Sequence, residues 1–294
     1  MDEVKIVEVG PRDGLQNEAK AVPLAVRQQL ITRLLAAGLK HIEVGACVSP
    51  QWVPQMADSA ALLADVGMPV GGSLSLLVPN RQGMLAALAA GCQEVAVFTA
   101  ASERFTQKNI NASIAQSLVR FQEVMAMAKA EGVKVRGYVS CAVACPYEGL
   151  IAPQKVADVS AALYDMGCHE VSLGDTIGVA NPKQIQALLR ACQQTLPMSV
   201  LAGHFHDTYG MAMANTLAAL EMGLRTFDGS VSGLGGCPYA PGASGNVATE
   251  DLVYLCEGMG LSTGIDIPLL AKAGAYIRGH LGSETRSRVA QAMI

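Results

Sequence analysis

Near residue 205 the chain reads "GHFHD", with His204 and His206 two positions apart. In an extended strand that spacing turns both imidazoles to one face and Phe205 to the other. Two imidazoles on one face can share a metal ion, but two ligands do not complete a site. Other stretches offer what is missing. "VGPRDGLQNE" sets the carboxylate of Asp13 beside the guanidinium of Arg12. "GLGGCPYAPGASGN", residues 233–246, ends on Asn246, whose amide oxygen is a hard ligand, and carries one thiol, Cys237. Glu43 in "HIEVGA" and Asp175 in "LGDTIG" place two more carboxylates in apolar runs. Two imidazoles, a carboxylate and an amide suit a hard divalent cation such as Mg²⁺ or Mn²⁺, and the same donors accept Zn²⁺, Co²⁺ or Fe²⁺. Plainer readings compete: a surface turn with a local ion pair for Arg12 and Asp13, and a structural salt bridge to Arg12 for Glu43 or Asp175.

These groups meet only if a fold gathers them. Short aliphatic runs alternate with helix-like, alanine- and leucine-rich segments over nearly the whole length, the pattern of a parallel sheet covered by helices. The runs are 4–9, 41–46, 70–78, 94–99, 135–141, 170–176, 200–206 and 226–232, and eight strands close a barrel. Segments such as "PLAVRQQLITRLLAAG" and "PKQIQALLRACQQTL" open with proline. "AAG", "AEG", "DMG" and "EMG" stand before the second, fifth, sixth and eighth runs, where glycine is expected to stop each helix. No glycine-rich phosphate loop follows the first run, which argues against a doubly wound sheet. The expected fold class is α/β: a (β/α)8 barrel forming one catalytic domain over 1–294, with a C-terminal helical extension over approximately 262–294. Catalytic groups of such a barrel lie at the C-terminal strand ends. There the first strand adjoins the eighth and sits two from the seventh, so Asp13 and the histidines can converge.

Composition narrows the function. The 294 residues are 51% hydrophobic and 16% charged with a net charge of −4, enough for a full core and unlike a disordered chain. Scattered lysines and arginines leave no footprint for nucleic acid, and no apolar run reaches the roughly 18–20 residues of a membrane span. Eight cysteines without a C-x-x-C read as buried reduced thiols of a cytoplasmic protein, Cys141 and Cys145 among them. Met1 is followed almost at once by a strand-like run, which leaves no room for a signal or transit peptide. A homo-oligomer, dimer or larger, is expected.

With "GPRDGLQNE", "HFHDTYG" and "GLGGCPYAPGASGN" in view, the chain resembles the 3-hydroxy-3-methylglutaryl-CoA lyases, within the metal-dependent lyase and Claisen-synthase barrels. "IEVGACVSPQWVPQMAD", "FTAASERFTQKNIN", "CPYEG" and "SLGDTIGVANP" extend the resemblance nearly end to end. It implies a TIM barrel with an added helical region, and cleavage of 3-hydroxy-3-methylglutaryl-CoA to acetyl-CoA and acetoacetate, usually in leucine breakdown and ketone-body metabolism. It implies Asp13, His204, His206 and Asn246 as ligands of a divalent cation, Arg12 as stabiliser of the thioester enolate, and Glu43 and Asp175 as acidic supports of catalysis. Cys237 falls on the loop that closes over substrate, where it gives or relays the proton that turns the enolate into acetyl-CoA. The base for the tertiary hydroxyl stays open among Asp13, a histidine and a metal-held water. Arg104, Lys108 and Asn109, in a loop after the fourth run, suit the pyrophosphate or acyl arm of CoA. The alternatives are a Claisen-condensing acyl-CoA synthase, a lyase for another 3-hydroxy-3-alkylglutaryl-type CoA ester, a cysteine hydrolase using Cys237, and a barrel that only binds acyl-CoA.

Overall fold

The computed structural model describes residues 2–236 and 245–293, the side chains of residues 64 and 65 excepted; Cys237 lies outside the described residues. Eight parallel strands close a barrel: β1 (Lys5–Glu8), β2 (His41–Ala46), β3 (Ser73–Leu77), β4 (Glu94–Ala100), β5 (Lys134–Ser140), β6 (Glu170–Asp175), β7 (Leu201–Phe205) and β8 (Thr226–Gly229). Neighbours in sequence are neighbours in space, and β1 pairs with both β2 and β8. Every expected run contains one strand. The third is the most shortened, starting at Ser73 because Gly71, with φ of 72°, still belongs to a turn.

Helices cover the outside: α1 (Leu24–Ala36), α2 (Ser59–Asp65), α3 (Arg81–Ala89), α4 (Glu103–Ile110), α5 (Ile114–Glu131), α6 (Pro153–Asp165), α7 (Pro182–Cys192), α8 (Ala212–Glu221) and α9 (Thr249–Gly258). Gly38, Gly132, Gly167 and Gly223 end helices at positive φ, as the repeated tripeptides suggest. The stretch "ERFTQKNI", expected as loop, is instead the helix α4. The Ser102 hydroxyl accepts from Phe105 N at 3.1 Å and caps it, and Phe105 and Thr106 bury one face.

Alternation within the strands decides what the barrel holds. In β5, "KVRGYVS", Val135 and Val139 join the apolar core, while Arg136 and Tyr138 on the other face bond to side chains of β2, β6 and β8. Val171 and Leu173 of β6 and Phe227 of β8 belong to the core; Glu170, Ser172 and Asp228 point to the opposite face. The interior is therefore a bonded polar network in place of the usual layers of branched aliphatic residues.

The segment from about 262 onward forms α10 (Ile267–Leu281) and α11 (Arg288–Ala292). Helix α10 packs on α1 and α9, and Arg278 donates to the carbonyls of Ser232 and Gly233 at 2.8 and 2.9 Å. Arg286 donates to Gly235 O at 2.6 Å, so the extension braces the segment after β8. The seven described cysteines are unpaired, and Cys145 Sγ accepts from Ser102 Oγ at 3.0 Å. Among the described residues no helix is long and apolar enough to cross a membrane.

Candidate functional site

At the C-terminal end of β1, residues Gly10–Gly14 make one π-helical turn, with Gly14 N donating to Val9 O at 3.2 Å. Such a turn is uncommon and tends to occur at functional sites. It fits because Gly14 has no side chain: a Cβ there would lie 2.8 Å from both Leu234 Cβ and Ser230 Oγ. The turn aims Arg12 and Asp13 into a cavity of about 370 Å³ at the barrel mouth. Arg12 Nη1 donates to Asp13 Oδ1 at 2.7 Å, and its Nε donates to Glu43 Oε1. The expected ion pair is thus present, but buried at the mouth rather than solvated on a surface turn.

Across the cavity, β7 and the residue that follows it deliver His204 and His206 on one face, as the H-x-H spacing requires. Asp13, His204 and His206 each offer a ligand atom within 4.8 Å of the others. His204 Nδ1 lies 3.2 Å from Asp228 Oδ2; that acceptor places the ring hydrogen on Nδ1 and leaves the Nε2 lone pair free. His204 Nε2 and His206 Nε2 face one another at 3.3 Å, while the buried His206 Nδ1 has no hydrogen-bond partner among the described residues. Converging imidazole lone pairs beside a carboxylate form a donor set that a divalent cation satisfies.

Asn246 reaches the same place from the far side of the 233–246 segment. It bridges to His206, and Val247 N donates to Phe205 O at 3.3 Å. Its amide nitrogen donates to Asp13 Oδ2 at 2.8 Å. The nitrogen, not the expected oxygen ligand, therefore faces Asp13. Gly235, at φ of 96°, passes so close that a Cβ would stand 3.2 Å from the Asn246 amide nitrogen and from Gly14 Cα.

Charge is sorted within this cluster. Burial alone would raise the Asp13 pKa, but Arg12, both histidines and the Asn246 amide outweigh it and hold it at about 2. His206 is pushed down to about 4 by burial and by His204. His204 moves the other way: burial opposes its charge, and the bond to Asp228 wins. Burial raises Glu43 against the pull of Arg12.

Asp175 is not brought into the cluster. Its carboxylate accepts from Val179 N at 3.3 Å and Ala180 N at 3.0 Å, shaping the loop whose Thr176 lines the cavity, and burial raises it to about 6. Lys108 and Asn109 line the cavity, with the Lys108 ammonium 4.0 Å from the Tyr147 ring centroid; Arg104 instead donates to Tyr147 O at 3.4 Å. Motifs in the sequence do not reveal Arg136, Tyr138 and Asp228. A signal for them exists all the same: charged or phenolic residues at alternate positions of "KVRGYVS" and "TFDG", inside otherwise apolar strands.

Comparison with known proteins gives a consistent picture. A family model described as HMGL-like matches residues 3–277. The chain is 55% identical over 293 residues to the hydroxymethylglutaryl-CoA lyase of Pseudomonas mevalonii, covering 100% of this chain and 97% of that one. It is 57% identical over 290 residues to the mitochondrial hydroxymethylglutaryl-CoA lyase of Bos taurus, covering 99% and 89%. The crystal structure of hydroxymethylglutaryl-CoA lyase from Pseudomonas aeruginosa superposes with a TM-score of 0.98 at 52% identity, covering 99% of this chain and 97% of that one.

Proposed function

Since the chain belongs to the HMGL-like family, we propose that it is an enzyme cleaving the acyl-CoA ester 3-hydroxy-3-methylglutaryl-CoA to acetyl-CoA and acetoacetate. The observation that carries this reading is the opening of Arg12 and the Asp13, His204 and His206 ligand atoms into one cavity. Asp13, His204 and His206, with Asn246 through its amide oxygen once the amide turns over from its bond to Asp13, would hold a divalent cation, Mg²⁺ or Mn²⁺ by the hardness of the donors. That ion would supply Lewis acidity toward the tertiary hydroxyl, lowering its pKa and orienting it beside the nearby carboxylate of the substrate.

The protein's own groups do the rest. A base of the cluster, Asp13 or an imidazole, takes the hydroxyl proton. As the carbon–carbon bond breaks, the electron pair moves toward the thioester carbonyl. The Arg12 guanidinium, always cationic and fixed between Glu43 and Asp13, stabilises the enolate there. Cys237 lies outside the described residues, and its role in protonating the enolate rests on the resemblance of the 233–246 stretch to the family's loop. Glu43 acts by holding Arg12, and Asp175 by shaping the Thr176 loop. The seven described cysteines are unpaired, which suits a reducing compartment, and we propose the cytoplasm. Assembly into a homo-oligomer would cover exposed apolar groups such as Trp52 and Tyr254, and light scattering tests it.

A product assay tests the cleavage. Acetyl-CoA and acetoacetate should form in equal amounts, stop with chelator and return with Mg²⁺ or Mn²⁺. No cleavage, with CoA released instead from acetyl-CoA and a 2-oxo acid, would place the protein among the Claisen synthases. Activity that survives chelator together with a trapped acyl-Cys237 would make it a hydrolase.

A further inference from the structure

One buried guanidinium touches both halves of the site. Arg136, on β5 and 2% exposed, donates through Nη2 to Asp228 Oδ1 at 2.7 Å and through Nε to Glu170 Oε1 at 2.6 Å. Its Nη1 donates to the Tyr138 hydroxyl at 2.7 Å and to Asp228 Oδ2 at 3.2 Å. Each acceptor leads outward. Asp228 Oδ2 also receives Ser172 Oγ at 2.8 Å and His204 Nδ1 at 3.2 Å, so the Asp228 branch determines which imidazole nitrogen of His204 is left for a cation. The Tyr138 hydroxyl, having accepted from Arg136, gives its own hydrogen to Glu43 Oε2 at 3.2 Å, and Glu43 Oε1 accepts from Arg12 Nε. The ring of Tyr138 lines the cavity between the two branches, 5.7 Å from the Arg12 guanidinium carbon and 6.1 Å from the His204 ring centroid.

We propose that Arg136 is a positioning residue that sets both arms of the site: through Asp228 the tautomer and aim of His204, and through Tyr138 the Glu43 carboxylate that holds Arg12. Geometry supports this because a carboxylate free to rotate could meet His204 or Arg12 from several directions. The planar fork of Arg136 fixes Asp228 by two bonds, and its bond to Tyr138 directs the hydroxyl hydrogen toward Glu43. Lysine, with one ammonium, cannot reproduce two divergent rows of donors.

The kcat arm of the test rests on the cleavage reading; the metal arm does not. Tyr138→Phe removes one hydroxyl and cuts only the branch to Glu43. It should lower kcat about 10-fold while KM and Mn²⁺ affinity stay within about twofold of wild type. Asp228→Asn cuts the His204 branch and should weaken Mn²⁺ binding by about 10- to 100-fold. Arg136→Lys should show both deficits, and adding Tyr138→Phe to it should lower kcat little further, because that branch already runs through Arg136. Wild-type kcat in Tyr138→Phe, additive losses in the double variant, or a folded Arg136→Lys with wild-type Mn²⁺ affinity would overturn the proposal. If Arg136→Lys does not fold, judged by circular dichroism, Tyr138→Phe and Asp228→Asn decide it. A wild-type protein that binds Mn²⁺ but leaves 3-hydroxy-3-methylglutaryl-CoA intact overturns the cleavage reading instead, and the Mn²⁺ measurements on Asp228→Asn and Arg136→Lys then judge Arg136.

Discussion

The two ends of the barrel are both rich in charge, and they use it differently. At the N-terminal strand ends, Glu170 is held by Lys5 and by Arg136 Nε, His41 Nδ1 meets Ser73 Oγ at 3.0 Å, and Glu94 faces His169 at 3.8 Å. None of these residues lines the cavity. At the C-terminal ends, Arg12 and Glu43 are paired just as firmly, yet the His204 and His206 nitrogens and the Asp13 carboxylate converge on space they do not fill. Density of charge therefore does not mark a site. What marks it is a set of ligand atoms held in place from behind and left unspent in front, with a cavity before them.

Substitutions at the two ends should sort accordingly. The largest effect is expected of His204→Ala, which removes an imidazole ligand: kcat/KM should fall on the order of 10³-fold or more, and Mn²⁺ affinity with it. Arg12→Lys should cost about 10²-fold in kcat with Mn²⁺ binding near wild type, since in the proposed mechanism a point charge replaces a fork aimed at the enolate. Steady-state kinetics beside Mn²⁺ titration would separate the two. Cys237→Ser should slow turnover and leave both folding and metal binding intact; turnover at the wild-type rate would remove the thiol from the mechanism.

At the other end, Glu94→Gln should leave kcat within about twofold and cost stability of roughly 1–3 kcal/mol at neutral pH. Burial works against the Glu94 charge, but His169, Ser73 and Arg136 more than offset it and hold the group at about 2, below its ordinary 4.5. A folded-state pKa that is depressed stabilises the protein above the unfolded value and loses that contribution as pH falls. The gap in urea midpoint between wild type and Glu94→Gln should accordingly be full above about pH 4.5 and close toward pH 2. A gap that widened on acidification would put the charge of Glu94 to some other use.

The same contrast explains which features are legible in the amino-acid sequence. The eight strands, their order and the H-x-H face follow from local patterns, each a matter of a few neighbouring residues. So does the placement of Arg12 and Asp13 after β1, because a barrel sends the ends of its strands to one mouth. The roles of Arg136, Tyr138 and Asp228 are not legible in that way. Their meaning lies in bonds across 92 or 95 residues of sequence, and inside a strand an inward residue and an outward one differ only by one position. Arg278 and Arg286 are silent in the sequence for a similar reason: nothing near them indicates that they brace Ser232, Gly233 and Gly235. Asp175 shows the converse case. Its place at the end of a strand is right for catalysis, but the following residue, Thr176, is the one that lines the cavity.

Pulsed electron paramagnetic resonance of the protein titrated with Mn²⁺ tests the central contrast most directly. One tightly held ion per chain is expected, with couplings to two imidazole nitrogens, reduced to one coupling or lost in His204→Ala and unchanged in Glu94→Gln. An ion without imidazole coupling, or one bound identically in His204→Ala, would contradict that expectation.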